Sequence, residues 1–141
     1  MSDLVTSVPQ LTAAAARRLV DAAVARADEL GVAVVVHVAD AGGAPLALHR
    51  MDGAPVFSVT VAAKKAWTAV AAGARTAELR EAFMADPVLL HALAPKIDEV
   101  MAVGGATPVV VDGRVAGAVG VSGATEEQDQ DCADRAVADL G

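Results

Sequence analysis

Val32-Ala33-Val34-Val35-Val36-His37-Val38-Ala39, Asp40-Ala41-Gly42-Gly43-Ala44 and Pro45-Leu46-Ala47-Leu48-His49-Arg50-Met51-Asp52-Gly53 form the stretch that decides the fold. Two apolar runs rich in residues that suit a pleated strand flank a turn whose glycines permit the positive φ of a tight hairpin. Charge and glycine collect at the ends of this hairpin, in Asp40, Arg50 and Asp52 and again in the helix that follows, with Lys64, Lys65 and Thr68. A site or an interface explains that concentration.

Outward from the hairpin the elements follow at short spacing. Upstream, Thr12 suits an N-cap, Ala16, Leu19, Ala23, Ala27 and Leu30 recur at helical spacing, and Gly31 supplies the stop. Downstream, Ser58 or Thr60 opens a helix to about Ala74. Thr76 and Asp86-Pro87 start two shorter ones, the latter with Pro at the first helical position. Thr107–Val111 and Arg114–Ser122 flank Asp112-Gly113, a strong two-residue hairpin signal. Thr125 with Gln128 three residues on makes a capping box for a last helix, whose Glu126, Glu127 and Asp129 suit the positive helix end. Two tight hairpins and long covering helices imply a mainly antiparallel sheet in an α+β layer, not a doubly wound parallel fold.

The 141 residues suit one domain with one core, and no linker or repeat divides residues 1–141. A net charge of −7 and only Phe57, Trp67 and Phe83 as aromatics argue against nucleic acid, which needs clustered cations and stacking platforms. Met1-Ser2-Asp3-Leu4 carries no secretory signal and no apolar run is long enough to span a bilayer, so a cytoplasmic protein that does not bind membranes is expected. The lone Cys132 excludes an internal disulfide and a cysteine-rich metal cluster. Apolar residues make up 55% of the chain and are mostly Ala and Val, which leaves much apolar surface for a small domain and favours a homo-oligomer, a dimer or a larger ring.

Register bears on the site. If Asp40 pairs with Ala44, then Val35, His37, Ala39, Ala47, His49 and Met51 share one face and the two histidines are diagonal neighbours. Against a shared pocket stands the reading that each histidine is separately solvated or bonded to a backbone carbonyl, and a two-residue turn puts the pair on opposite faces. In the second hairpin Ala116, Ala118, Gly120 and Ser122 line one face with small side chains, so a helix, a subunit or a flat ligand approaches that backbone closely.

Asp40-Ala41-Gly42-Gly43, Arg50-Met51-Asp52-Gly53-Ala54, Ser58, Lys65-Ala66-Trp67-Thr68-Ala69, Gly104-Gly105, Gly117-Ala118-Val119-Gly120-Val121-Ser122-Gly123-Ala124 and Gln128-Asp129 with Cys132-Ala133, taken in this order, resemble the haem-binding, GlcG-like and HbpS-like family. The likeness extends to the C-terminal domain of PduO-type proteins. It implies a profilin-like domain with an antiparallel sheet of about five strands, helices on its faces, small-molecule binding and homo-oligomeric assembly. Haem is the one cofactor it implies, in haem handling or degradation.

For haem, the ligand candidates by residue type are His37, His49, His91 and Cys132, with Met51 and Met101 weaker. His37, His49, Met51, Thr68, Gly104 and Gly105 are the expected cofactor-binding set; Gly42, Gly43, Gly104 and Gly105 suit backbone nests for an anion and fit ordinary turns equally well. No metal-ligand cluster is expected. An alternative is a cofactor-independent enzyme on a small carboxylated or carbonyl metabolite: Arg50 clamps a carboxylate, Asp52 and Ser122 complete the set, and a partly desolvated Lys65 serves as base or Schiff-base nucleophile. Against that stand an Arg50–Asp52 pair that merely ties down the loop, a Lys65 that snorkels to water and an Asp129 that is only a helix-start charge. A third reading is a structural assembly subunit. Whether the chain is an enzyme at all stays open at the level of sequence.

Overall fold

The computed structural model describes residues 3–141; Met1 and Ser2, the first half of the stretch read above for a leader, lie outside it. The order is α1 (Ala13–Leu30), β1 (Val35–Asp40), β2 (Pro45–Arg50), α2 (Ser58–Ala72), α3 (Thr76–Ala85), α4 (Pro87–Leu93), β3 (Ala106–Val111), β4 (Arg114–Ser122) and α5 (Glu126–Leu140). Thr12 accepts from the Ala15 N–H at the start of α1, and Gly31 ends that helix in the left-handed region. The Thr125–Gln128 capping box forms as read, and Asp86 caps α4 ahead of Pro87.

The strands form one antiparallel sheet in the order β2-β1-β4-β3. The described residues supply four strands where about five were expected. Helices cover both faces, which makes the α+β layer that the two hairpins implied.

The faces differ in content. On one, Val36, Val38, Val119 and Val121 pack against Leu19, Ala23 and Ala27 of α1 and Cys132, Ala133 and Ala136 of α5, forming the main apolar core. On the other lies α2, whose Ala62 joins Val35 and Ala54, and whose Ala69 joins Ala106 and Ala118. A Cβ at Gly120 would collide with the Ala62 carbonyl and lie 2.8 Å from the Ala66 nitrogen, so the small-residue stripe exists to admit α2. Ala116 leaves that stripe: a register shift between Val109 and Val110 sets Gly117 against Val109 but Val115 against Val110, and Ala116 joins the main core.

The first hairpin departs from expectation in one residue. The Asp40 N–H donates to the Ala44 carbonyl at 2.7 Å, so the turn is the expected one. The register then shifts: Ala39 pairs with Pro45, but Val38 pairs with Ala47 and His37 with Leu48. Leu46 is the extra residue of a bulge. Pro45 has no N–H to continue the ladder, and bulges are where a sheet accommodates such a residue. Everything beyond the bulge changes face, as a one-residue slip requires.

Candidate functional site

His37 lies on the α2 face of β1 and is buried, at 6% exposure. Its Nδ1 is shut off from solvent and meets no hydrogen-bond partner among the described residues. Burial pushes its pKa below the usual 6.5, so the ring is neutral at pH 7 and keeps a lone pair. The imidazole lines a cleft of about 280 Å³ between the first hairpin and α2, together with Gly43, Pro45, Ala63, Lys64, Trp67 and Glu99. A neutral imidazole in a mostly apolar slot is of the donor type that an iron porphyrin takes, and the unpaired Nδ1 is itself closed off within the fold. The slot is small, so it would grip such a ligand over one part of its surface.

Thr68 shapes the cleft from behind. The single proton of its Oγ1 hydroxyl is shared between the carbonyls of Lys64 and Glu99, at 2.7 and 3.1 Å, and the oxygen accepts from the Met101 N–H at 2.8 Å. Lys64 adds a bond from Nζ to the Asp98 carbonyl at 3.0 Å. Together these bonds hold residues 98–101 against α2 and keep Glu99 at the cleft.

His49 is not in this cleft. It pairs with Val36 and lines a separate hollow of about 380 Å³ on the α1 side, with Val24, Asp28, Arg50, Met51 and Asp52. The shared histidine face is thereby corrected, because the bulge at Leu46 turns His49 over. Met51 sends its sulfur to the Val34 N–H at 3.4 Å, which occupies the weaker sulfur candidate. His91 is exposed on α4. Cys132 faces the main core, and burial first, then Asp129 and Asp131, push its thiol up to about 11, so it offers no thiolate.

A family model described as haem degrading protein HbpS-like matches residues 11–138. The chain belongs to the HbpS-like family. Its structure is similar to that of protein ORFY of Klebsiella pneumoniae, with a TM-score of 0.90, 38% identity and coverage of 96% of this chain and 94% of that one. HbpS of Streptomyces reticuli, solved as a double mutant, superposes with a TM-score of 0.88 at 35% identity, over 97% of this chain and 91% of its own. PduOC, solved as a haem complex, gives 0.84 at 37% identity, over 92% of this chain and 94% of its own.

In this HbpS-like chain the residues expected to act as an enzyme centre are split: Arg50 and Asp52 share the hollow that holds His49, whereas Lys65 and Ser122 are buried elsewhere. Arg50 donates from Nε to the Ala54 carbonyl at 3.2 Å, in place of the expected pair with Asp52, which is exposed. Arg50 and Ser122 flank Val35 in one row across the sheet, but Val35 is buried with Ala54 and Ala62 and seals the space between them. Ser122 donates to Ser58 Oγ at 3.2 Å. Lys65 does not snorkel to water: its Nζ meets Asp129 Oδ2 at 3.2 Å and the Val121 carbonyl at 3.1 Å, with both side chains 3% exposed. Burial holds the Asp129 carboxyl above the usual carboxylate range, against the opposing pull of the Lys65 ammonium. Asp129 is therefore more than a helix-start charge.

Gly104 and Gly105 form no open nest. Their N–H groups donate to Glu126 Oε1 at 2.9 Å and Gln130 Oε1 at 2.8 Å. Gly105 instead makes room, since a Cβ there would lie 2.6 Å from Lys65 Nζ. Sequence reasoning passed over Gln130, which also accepts from the Ala77 N–H and donates to the Ala106 carbonyl and Thr107. It also gave Trp67 no role. The available signal was the single tryptophan, four residues after Ala63 and so on the same helical face as part of the cleft lining.

Proposed function

We propose that this HbpS-like chain binds a haem-type tetrapyrrole in the cleft between the first hairpin and α2, where the neutral His37 imidazole would hold the iron. One observation carries the reading: a buried ring nitrogen without a partner, on a side chain that lines an apolar cleft. The family description and the haem complex of PduOC support the same ligand class.

Bound there, an iron porphyrin would supply its own redox and ligand-exchange chemistry. The chain's part is to coordinate through His37, to cover the macrocycle with Trp67, Pro45 and Ala63, and to offer the Lys64 ammonium to a peripheral carboxylate. Thr68 acts from behind, as a positioning residue. Haem handling by a single HbpS-like domain in the cytoplasm, with subunits associating through exposed apolar residues such as Leu48, Val56 and Phe57, completes the proposal.

Titration of the protein with haemin tests it. A saturable Soret shift is expected for the wild type and for His49→Ala, and weakening by tenfold or more for His37→Ala. A wild type that gives no saturable shift, or a His37→Ala variant that titrates like it, contradicts the reading.

A further inference from the structure

We infer that Gly43 and Trp67 together form a preset flat wall, and that this wall selects a planar conjugated macrocycle independently of its metal. The inference rests on the cleft proposed above and adds the element that sets the ligand's shape. A Cβ at position 43 would lie 2.6 Å from Trp67 Cδ1 and 3.0 Å from Nε1, so the Cδ1–Nε1 side of the indole packs directly against the glycine. Real Cβ atoms do not approach that closely, and any side chain at position 43 must displace the ring.

The support under the ring is built to stay still. Asp40 Oδ1 accepts from the Gly42 and Ala44 N–H groups at 2.8 and 2.9 Å, and Gln10 Oε1 accepts from the Ala41 N–H at 3.0 Å. Gly43 has φ +88, in the region that favours glycine. From the other side the indole is carried by α2, whose neighbouring turns pack on β1 and β4 through Ala62, Ala66 and Ala69. The indole N–H donates to no group among the described residues, and Trp67 lines the cleft that also holds His37. An aromatic side chain fixed before the ligand arrives presents area at little entropic cost, and offset stacking on it rewards a flat π-system.

Metal-free protoporphyrin IX separates this wall from iron ligation. Trp67 is the chain's single tryptophan, so its emission reports the cleft alone. Saturable quenching of Trp67 by protoporphyrin IX is expected in the wild type, and His37→Ala is expected to keep that affinity within about threefold while losing haemin. Gly43→Ala is expected to shift the ligand-free emission and to weaken protoporphyrin IX about tenfold. Trp67→Leu, followed by porphyrin absorbance, is expected to weaken it equally and carries the test if Gly43→Ala does not fold. A wild type that fails to bind metal-free porphyrin, or a Trp67→Leu variant with wild-type affinity, overturns the wall. An unchanged haemin titration in His37→Ala overturns the iron ligand and leaves the wall standing.

Discussion

The two faces of the sheet are packed by different rules. The face under α1 and α5 is an apolar core of Val, Leu and Ala with a buried Cys132. The face under α2 is made of Ala and Gly at close approach, and it buries His37, Ser58, Lys65, Thr68 and Ser122. Small residues bring backbones together but leave little apolar area to offset desolvation, so polar groups on that face must be paired or used. Lys65 is paired with Asp129, Ser58 with Ser122, and Thr68 with backbone. His37 Nδ1 alone among the described buried side-chain nitrogens and oxygens has no partner. The contrast supports the proposed site: one face is packed by apolar side chains, and the other leaves one buried nitrogen without a partner.

The largest test of this contrast is Lys65→Ala. It leaves the Asp129 carboxyl buried without its counter-ion, and chemical denaturation should show a loss of about 3–5 kcal/mol. Replacing both partners, Lys65→Met with Asp129→Leu, should recover most of that loss, since an apolar pair leaves no stranded charge. Equal destabilisation of the single and double variants would mean that the pair does more than satisfy itself.

On the apolar face Leu19→Ala should cost about 2–5 kcal/mol by cavity formation, with no effect on haemin affinity. Altered haemin binding in that variant would show that the two faces are not independent. Gln130→Ala, which strands the Ala77 and Gly105 N–H groups, should cost about 2–3 kcal/mol in the same measurement.

The smallest effect is in pH. Burial lowers the folded pKa of His37 below its unfolded value, so its contribution to stability is complete above about pH 6.5 and is lost as pH falls through the folded pKa. Denaturation midpoints of the wild type should decline more steeply from pH 6.5 to 5 than those of His37→Leu, by at most about 1.4 kcal/mol per pH unit. Parallel profiles would show that His37 protonates as freely folded as unfolded.

Much of the fold was legible because its signals are local. Thr12 and Gly31 bound α1, the Thr125–Gln128 box starts α5, and Asp112-Gly113 turns the second hairpin, each within a few residues. The two bulges were not legible. Leu46 and Ala116 look like ordinary strand residues, and only the completed ladders show which one is extra. The first bulge moved His49 away from His37 and so halved the expected ligand pair. The Lys65–Asp129 pair was hidden for a different reason: the partners stand on two helices and meet across the end of β4. Trp67 over Gly43 is likewise a contact between a turn and a helix, visible only once α2 lies on the hairpin.

The most direct test of the account is a crystal structure of the haemin complex with data collected across the iron absorption edge. An anomalous iron peak is expected at bonding distance from a His37 ring nitrogen, with the macrocycle against Trp67 between the first hairpin and α2. An iron peak bonded to His49 or His91, or one away from the α2 face, would contradict it.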